Sequence, residues 1–157
     1  MSQKVNVSVF VPDNTVTSMS DELADGSVQR AVDTAKAAYL SVDSDGQIPV
    51  QTYDEDFDNA VEAATKYAET TDGADLIVIV TDLESNDRAK AERLLRGSDD
   101  MFVIVPVSNQ GYDQAWADKL DADQEGPNNV DVIDPEELTD NATAMAEVGP
   151  WLNRVAV

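Results

Sequence analysis

The sequence predicts an α/β protein: a three-layer sandwich with a five-stranded, mainly parallel sheet and helices on both faces. Segments with strand character alternate along the whole chain with segments whose apolar residues recur at helical spacing. Residues 76–80 and 101–107 are apolar throughout, as expected of central parallel strands that are covered on both faces. Right-handed crossovers between such strands favour the strand order 2-1-3-4-5.

The first part of the chain supplies a strand, a helix and a second strand. Strand one is predicted over about 4–11. The helix over 27–41 has Ser27 as its cap, and its apolar residues recur every three to four positions. The second strand, over 47–53, contains Pro49. Because proline cannot donate to a ladder of hydrogen bonds, we expect this strand to lie at the edge of the sheet.

Two helices flank the third strand. Asp56 or Asp58 begins the helix before it, since an aspartate side chain can accept a hydrogen bond from the first turn. Asn86 or Asp87 caps the helix after it, and Gly97 closes that helix before strand four.

The last part of the chain is more polar. A short helix, an acidic loop and a short strand are predicted over 112–120, 121–129 and 130–133. Pro135 then stands in the first turn of a final helix, a position that its fixed φ favours. Gly149-Pro150 is expected to end that helix, and a tail containing Trp151 to pack back onto the domain.

Charge is the most unusual property of the composition. The 157 residues suit one domain over 1–157, and 42% of them are hydrophobic, which is enough to build a core. The chain has 32 acidic and 10 basic residues, a net charge of −22 at pH 7. Because the acids are spread along the chain, the pattern resembles proteins of halophilic organisms and their viruses, in which salt screens the repulsion. The alternative is a locally acidic partner-binding protein, whose charge would concentrate on one segment.

Neither nucleic acid nor a membrane is an expected partner. Phosphate binding needs clustered basic residues, and the cluster at Arg88, Lys90, Arg93 and Arg96 is predicted to be a solvated helix face. No apolar run approaches the ~20 residues that cross a bilayer, and the N-terminus has no targeting segment. We therefore expect a protein of the cytoplasm or of a virion, in a high-salt environment.

The chain contains no cysteine and no histidine. Disulfides, structural zinc, thiolate nucleophiles and Ser-His-Asp triads are therefore excluded. Any chemistry would depend on carboxylates, hydroxyls, lysine or a hard metal ion.

Two apolar strands are each followed by an aspartate, Asp13 after the first and Asp82 after the third. In the predicted strand order these strands are neighbours, so we expect both carboxylates in the crevice at the carboxyl edge of the sheet. Thr15 and Thr17 add hydroxyl groups to the first loop, and oxygen ligands of this kind suit Mg²⁺. The alternative is that these side chains serve only the turns.

The Asp-x-Thr-x-Thr segment at 13–17 resembles the metal-ion-dependent adhesion loop of the von Willebrand factor A family, which reads Asp-x-Ser-x-Ser. That family also has a Thr-Asp pair after a later apolar strand, matched here by the pair that ends in Asp82. The resemblance implies that Asp13, Thr15 and Thr17 form the adhesion loop and that Asp82 holds a metal-bound water.

The same resemblance implies that Thr52, at the end of strand two, is an additional threonine of the site. It covers roughly residues 4–107, with departures. Threonines replace both serines of the loop, Val16 replaces a usual glycine, and Leu83 stands where glycine usually follows the Thr-Asp pair.

Two other families give weaker resemblances. The segment 74–84 is similar to the Asp-x-Asp strand of Toprim domains, which implies a Mg²⁺ nuclease, although the glutamate expected directly after strand one is absent. Asp82 and Ser108 stand where a response-regulator receiver has its phosphoacceptor and its serine, but Asp134 replaces the lysine expected before Pro135. A degenerate signalling domain is the function that this second resemblance implies.

The sequence therefore favours a halophilic, non-catalytic protein-binding domain that uses Mg²⁺ at the carboxyl edge of its sheet. A structural or assembly subunit without metal is the principal alternative, followed by the receiver-like and Toprim-like functions. A protein partner is expected, and the oligomeric state is left open.

Overall fold

A computed structural model describes residues 4–121, 129–146 and 148–155, and it contains a five-stranded sheet in the order β2-β1-β3-β4-β5. Every pair of neighbouring strands is parallel. The strands are β1 (Val5–Pro12), β2 (Val50–Tyr53), β3 (Ala74–Thr81), β4 (Met101–Pro106) and β5 (Val130–Val132). The predicted fold class and strand order are both confirmed.

Helices cover both faces of this sheet. The α-helices are α1 (Ser20–Ala24), α2 (Ser27–Tyr39), α3 (Phe57–Ala68), α4 (Arg88–Arg96), α5 (Gln114–Asp121), α6 (Asn141–Met145) and α7 (Val148–Val155). On one face α3 packs beside α4, and Phe57 of α3 meets Trp116 of α5 edge to face with ring centroids 5.6 Å apart. On the other face the Tyr39 hydroxyl of α2 donates to the Ala144 carbonyl of α6 at 3.1 Å.

The central strands form the core because their side chains are apolar on both faces. Every residue of β3 and of β4 is buried. β2 lies at the edge, as Pro49 predicts, and the Pro49 carbonyl accepts the Val9 N–H at 3.0 Å. Trp151 also packs onto the domain as expected, with 1% of its surface exposed.

Helix starts agree with the sequence at two places and differ at a third. The side chains of Asp56 and Asp87 cap α3 and α4 by accepting from the N–H groups of Asn59 and Lys90. Ser27 does not cap α2. The carboxylate of Asp25 instead accepts both the backbone N–H and the hydroxyl of Ser27, at 2.8 and 2.6 Å.

The predicted loop before α2 and the predicted final helix both have more structure than expected. A turn of 3-10 helix (Thr17–Met19) and α1 occupy the loop, and a second 3-10 turn (Glu137–Thr139) precedes α6 and α7. Gly149-Pro150 does not end a helix but lies in the first turn of α7. Proline is tolerated there because the first turn of a helix needs no backbone donor. Of the predicted acidic loop, residues 122–128 lie outside the described residues.

No helix in the described part of the chain is both long enough and apolar enough to cross a membrane.

The stability of the sheet is expected to depend on its central strands. Val78 in β3 has 0% of its surface exposed, whereas Val50 in β2 has 43%. Val78→Ala should lower the free energy of unfolding by about 2 kcal/mol because two buried methyl groups are lost and a cavity remains. Val50→Ala is the matched control and should cost less than about half as much. Urea unfolding of the three proteins compares them, and equal losses would contradict the assignment of β3 to the core.

Candidate functional site

The carboxyl edge of the sheet brings two sequence-remote aspartates to the same level. β1 and β3 pair in parallel with Phe10 opposite Ile79. Asp13 and Asp82 each follow three residues after these partners, and adjacent strands are ~4.8 Å apart. β2 pairs with the other side of β1, so strand order reverses at this point of the edge. Such a reversal point is where open α/β sheets hold ligands.

The loop after β1 is organised around the carboxylate of Asp13. Its Oδ1 accepts the backbone N–H of Thr15 at 2.8 Å and also the hydroxyl of Thr15. The Asp13 N–H donates to the Tyr53 carbonyl at 2.9 Å, which ties the loop to β2. Thr17 is exposed and its hydroxyl forms no hydrogen bond within the described residues. Oδ1 of Asp13 thus stabilises a turn, while Oδ2 has no such partner in that part of the chain.

Asp82 is more deeply placed, with 6% of its surface exposed. Its Oδ1 accepts the Glu84 N–H at 3.0 Å. The preceding hydroxyl, on Thr81, accepts the Leu83 N–H at 3.0 Å. Leu83 has φ of +64° and 1% exposure, so the backbone is left-handed at the position where the adhesion family has glycine.

Thr52 lies in the neighbouring strand β2, and no hydrogen bond of its side chain to Asp13, Thr15 or Asp82 is seen. It pairs with Val11 in the β1–β2 ladder, and its side chain is exposed at the sheet edge. Within the described residues it forms no side-chain hydrogen bond. The structure therefore groups Asp13 with Thr15 by direct contact and Asp82 with them by register, while Thr52 is joined to the loop after β1 only through the β1–β2 ladder.

Burial of Tyr53 gives independent support for this grouping. Its hydroxyl donates to the Val80 carbonyl at 2.8 Å, across the end of β1. Burial raises the pKa of Tyr53 well above its ordinary value, and the nearby carboxylates of Asp82, Asp56 and Asp13 raise it further. The phenol of Tyr53 therefore lies within the electrostatic field of all three carboxylates.

The donor set available to a cation consists of oxygen atoms alone. The carboxylates of Asp13 and Asp82 and the hydroxyls of Thr15 and Thr17 are hard ligands of the kind that Mg²⁺ accepts together with several waters. No group of three or more acidic side chains within residues 4–121, 129–146 and 148–155 is arranged to hold a metal ion. A cation here would depend on hydroxyl and water ligands besides the two carboxylates.

Sequence reasoning missed a buried pair of carboxyl groups beside this edge. Asp56 and Asp58 are only 7% and 5% exposed, although the acidic run before α3 is typical of a solvated loop. The Asn86 N–H donates to Asp56 Oδ2 at 2.8 Å, and the Ser85 hydroxyl donates to Asp58 Oδ1 at 2.8 Å. The pair therefore fastens the β2–α3 loop to the β3–α4 loop.

The pKa values of the two carboxyl groups are shifted in opposite directions. Burial, together with the hydrogen bond to Asp58, raises the pKa of Asp56 above its ordinary value. Burial also opposes ionisation of Asp58, but hydrogen bonds from Asp56, Ser85 and the backbone outweigh it and lower the pKa of Asp58. Lys90 Nζ lies 3.9 Å from Asp58 Oδ2 and adds a positive charge on the same side. These opposite shifts favour the state in which Asp58 is ionised and Asp56 is neutral.

Strained backbone marks the same two loops. Glu55 has φ of +63°, like Leu83 across the edge, and neither residue is glycine. The Glu55 N–H donates to Thr15 Oγ1 at 3.3 Å, and the Phe57 N–H donates to the Glu84 carbonyl at 2.8 Å. Left-handed residues other than glycine persist where surrounding contacts hold them, commonly at functional sites.

Glu22 is the other buried acid at this end of the sheet that sequence reasoning missed. It lies in α1 with 2% of its surface exposed, and its Oε1 accepts the Asn109 N–H at 2.8 Å. Its Oε2 is buried without a hydrogen bond. The Asn109 side chain also donates to Asp25 Oδ2 at 2.9 Å, so the loop after β4 is anchored on α1. The only sequence signal was an acid within an amphipathic turn, which is common on surfaces.

Comparisons with known proteins add little. No family model matches the chain, and no curated protein matches it. A solved structure from Peptoclostridium difficile 630, a fragment described as a "putative lipoprotein", is similar at 15% identity with a TM-score of 0.47. The match covers 92% of this chain and 97% of that one.

The raised pKa of Asp56 predicts a pH dependence of stability. Because the pKa of Asp56 is raised in the folded state, its contribution is present below the ordinary value of 3.8 and is lost as pH rises through the folded value. Asp56→Asn can still donate to Asp58 but never gains a charge. The melting temperature of this variant should therefore improve relative to wild type as pH rises from about 4 to about 8. Asp54→Asn, an exposed change in the same loop, should show no such trend. A flat difference for Asp56→Asn would contradict the raised pKa of Asp56.

The strain at Glu55 is also testable. Glu55→Gly should raise the free energy of unfolding by about 0.5–1 kcal/mol, because glycine adopts positive φ without the steric cost. Glu136 is exposed with φ of −65°, so Glu136→Gly should lower stability instead. Chemical denaturation measures both variants, and a loss of stability for Glu55→Gly would show that its backbone is not strained.

Proposed function

We propose that this protein is a non-catalytic protein-binding domain, and that its docking site is the carboxyl edge of the sheet around Asp13 and Asp82. The supporting observation is the β1–β3 register, which carries both aspartates to one level at the point where strand order reverses. Exposed hydroxyls of Thr15 and Thr17 border this point.

Mg²⁺ is the proposed mediator of docking. Asp13, Thr15, Thr17 and Asp82 would hold the ion, and Thr52, which pairs with Val11 in the β1–β2 ladder, is the fifth candidate ligand. When bound, the ion would supply a coordination position that a carboxylate of the partner completes. The residues of this chain would orient that position through the hydrogen-bonded turn between Asp13 and Thr15.

The absence of catalysis is part of the proposal. The chain has no histidine or cysteine to move a proton or attack a substrate near neutral pH. The buried carboxyl groups of Asp56 and Asp58 accept hydrogen bonds from Asn86 and Ser85 and so join two loops. The high net negative charge further supports a working environment of high salt, where repulsion among the acids is screened.

A structural role without metal is the second candidate. Asp13 Oδ1 already accepts two hydrogen bonds from Thr15, and turn formation alone accounts for both residues. In that role the carboxyl edge would contact its partner through direct hydrogen bonds, and the carboxylates would not need a cation.

Thermal unfolding with added MgCl₂ separates the two candidates. A ligand present at about one hundred times its Kd stabilises the folded state by ~2.7 kcal/mol, roughly 5–10 °C for a domain of this size. Wild type should show such a rise beyond that produced by NaCl of equal ionic strength. Asp13→Asn keeps the turn's acceptor but removes the charge, and it should lose the rise. Asp21→Asn removes one exposed charge in α1 and should retain it.

Two results would favour the metal-free role. One is a wild-type melting temperature that MgCl₂ shifts no more than matched NaCl. The other is an equal magnesium-specific shift for Asp13→Asn and wild type, which would place the ion elsewhere.

A further inference from the structure

Asp75 is the one charged residue of β3, and it lies at the amino end of the sheet, opposite the edge that holds Asp13 and Asp82. Only 1% of its surface is exposed. Its backbone N–H donates to the carboxylate of Asp100 at 3.0 Å, a contact that any residue except proline could make. The strand therefore does not need this carboxyl group, and burying it costs free energy.

The two carboxyl oxygens of Asp75 have different surroundings. Oδ2 lies 2.6 Å from the hydroxyl oxygen of Thr71, which belongs to the turn after α3. Oδ1 is shut off from solvent and has no hydrogen-bond partner among the residues that the structure describes. Ionisation would leave a charged acceptor buried without a donor, whereas the neutral carboxyl group places less charge there. The geometry therefore favours the protonated form of Asp75.

The Thr71 hydroxyl lies between two acceptors but carries a single proton. Its oxygen is 2.6 Å from Asp75 Oδ2 and 3.0 Å from the carbonyl oxygen of Ala68, the last residue of α3. When Asp75 is ionised, the hydroxyl can donate to one of these groups but not to both. When Asp75 is neutral, its own O–H donates to Thr71, and the Thr71 hydroxyl donates to Ala68. The proton thus completes a chain of two hydrogen bonds from β3 to the end of α3.

The ionisable groups that face Asp75 are acids or phenols. The carboxylate of Asp100, directly before β4, is next to Asp75 because it accepts the Asp75 N–H. On α3, burial raises the pKa of the Tyr67 phenol, and the charge of Asp75 raises it further. Two more acids act on the Tyr67 phenol from the loop after α2, namely Asp43 and Asp45. A negative charge on Asp75 therefore meets repulsion from its surroundings.

Basic residues do not offset this repulsion. On β1, the uncharged Asn6 stands opposite Asp75 in the strand register. Lys4, directly before β1, is exposed and forms no ion pair with Asp75. Burial raises the pKa of Asp75 to about 6 against the opposing effect of the Thr71 hydroxyl, and the charge of Asp100 contributes to the rise. Asp75 therefore changes its charge between about pH 5 and about pH 7.

The turn formed by residues 98–100 connects Asp75 to other parts of the domain. Asp100 Oδ1 accepts the N–H of Asp75 in β3 at 3.0 Å. The side-chain amide of Asn129, directly before β5, donates to two carbonyl groups of the turn. The indole N–H of Trp151 donates to a third carbonyl of the turn at 2.9 Å and so attaches α7. A change at the contact between Asp75 and Asp100 therefore reaches α7 through this turn.

We propose that Asp75 is a pH-sensitive switch at the amino edge of the sheet: its neutral form keeps the 98–100 turn and α7 in place, and its ionised form loosens them. In the neutral form, the O–H of Asp75 donates to Thr71. Ionisation releases this proton to water and places two carboxylates, those of Asp75 and Asp100, beside one backbone hydrogen bond. Local opening, which hydrates Asp75, then becomes more favourable.

The sign of the effect follows from the raised pKa of Asp75. Its contribution to stability is fully present below the ordinary value of 3.8 and is lost as pH rises through about 6. The 98–100 turn and α7 should therefore be held more firmly in weak acid than at neutral pH.

Hydrogen–deuterium exchange of the full chain at pH 5 and pH 7.5, corrected for intrinsic exchange rates, tests the proposal. In wild type, protection of peptides over 98–102 and 148–155 should fall about tenfold, the factor expected when opening returns the pKa of Asp75 from about 6 to 3.8. Asp75→Asn can still donate to Thr71 but gains no charge, so its fall should be less than about twofold. Asp72→Asn, an exposed change in the preceding turn, should behave like wild type.

Two further measurements separate this switch from other effects of pH. Asp56→Asn, at the opposite end of the sheet, should retain the wild-type fall in protection. A titration of the Asp75 side-chain carbon by NMR in wild type should have its midpoint near pH 6. A midpoint at or below the ordinary value, or a fall in protection that Asp75→Asn retains, would overturn the proposal. The titration needs no variant, so it decides the matter even if Asp75→Asn does not fold.

Discussion

The parallel pairing of β1 with β3 is the interaction on which the rest of this structure depends. It places strands that are separated by about sixty residues of chain side by side, with Phe10 opposite Ile79 and both strands apolar on their buried faces. The chain reaches this arrangement by running outward to β2 and returning across β1. Right-handed crossovers then place α2 on one face and α3, α4 and α5 on the other. The loops after β1 and β3 consequently leave the sheet at the same edge, where Asp13 and Asp82 lie at one level of the strand register.

The loops at that edge contain buried carboxyl groups and strained residues, each of which lowers the free energy of unfolding unless other contacts compensate for it. Two carboxyl groups, on Asp56 and Asp58, are withdrawn from water, and their burial is tolerable because backbone N–H groups and the Ser85 hydroxyl donate to them. Glu55 and Leu83 adopt left-handed backbone in the same loops. Hydrogen-bonded polar groups and strained residues together fix the conformation of these loops more tightly than apolar packing alone would. A docking surface requires loops that are fixed in this way.

The charge of the chain acts at two levels. Most of the 32 acidic residues keep the surface negative, whereas the few basic residues are used individually. Along α4, Lys90 neutralises Glu62 and part of Asp58, while Arg93 and Arg96 face a groove at the other end of the helix. One turn of a helix contains 3.6 residues, so the basic side chains of α4 lie on neighbouring faces of the helix. The elements that pack beside its first turn differ from those beside its last turn.

The sequence by itself determined the class of fold, the strand order, the edge position of β2 and the aspartate caps of α3 and α4. These features follow from local chemistry: apolar runs such as 76–80, a proline that cannot donate, and carboxylates beside free N–H groups. Only the tertiary structure decided that Asp58 and Glu22 are buried. It also decided that, of the basic residues of α4, Arg88 and Lys90 pair with acids of neighbouring elements while Arg93 and Arg96 line a groove beside α3 and α7. Burial and charge compensation depend on which loops meet across the sheet, here residues about 30 to 90 positions apart, and no local pattern encodes that meeting.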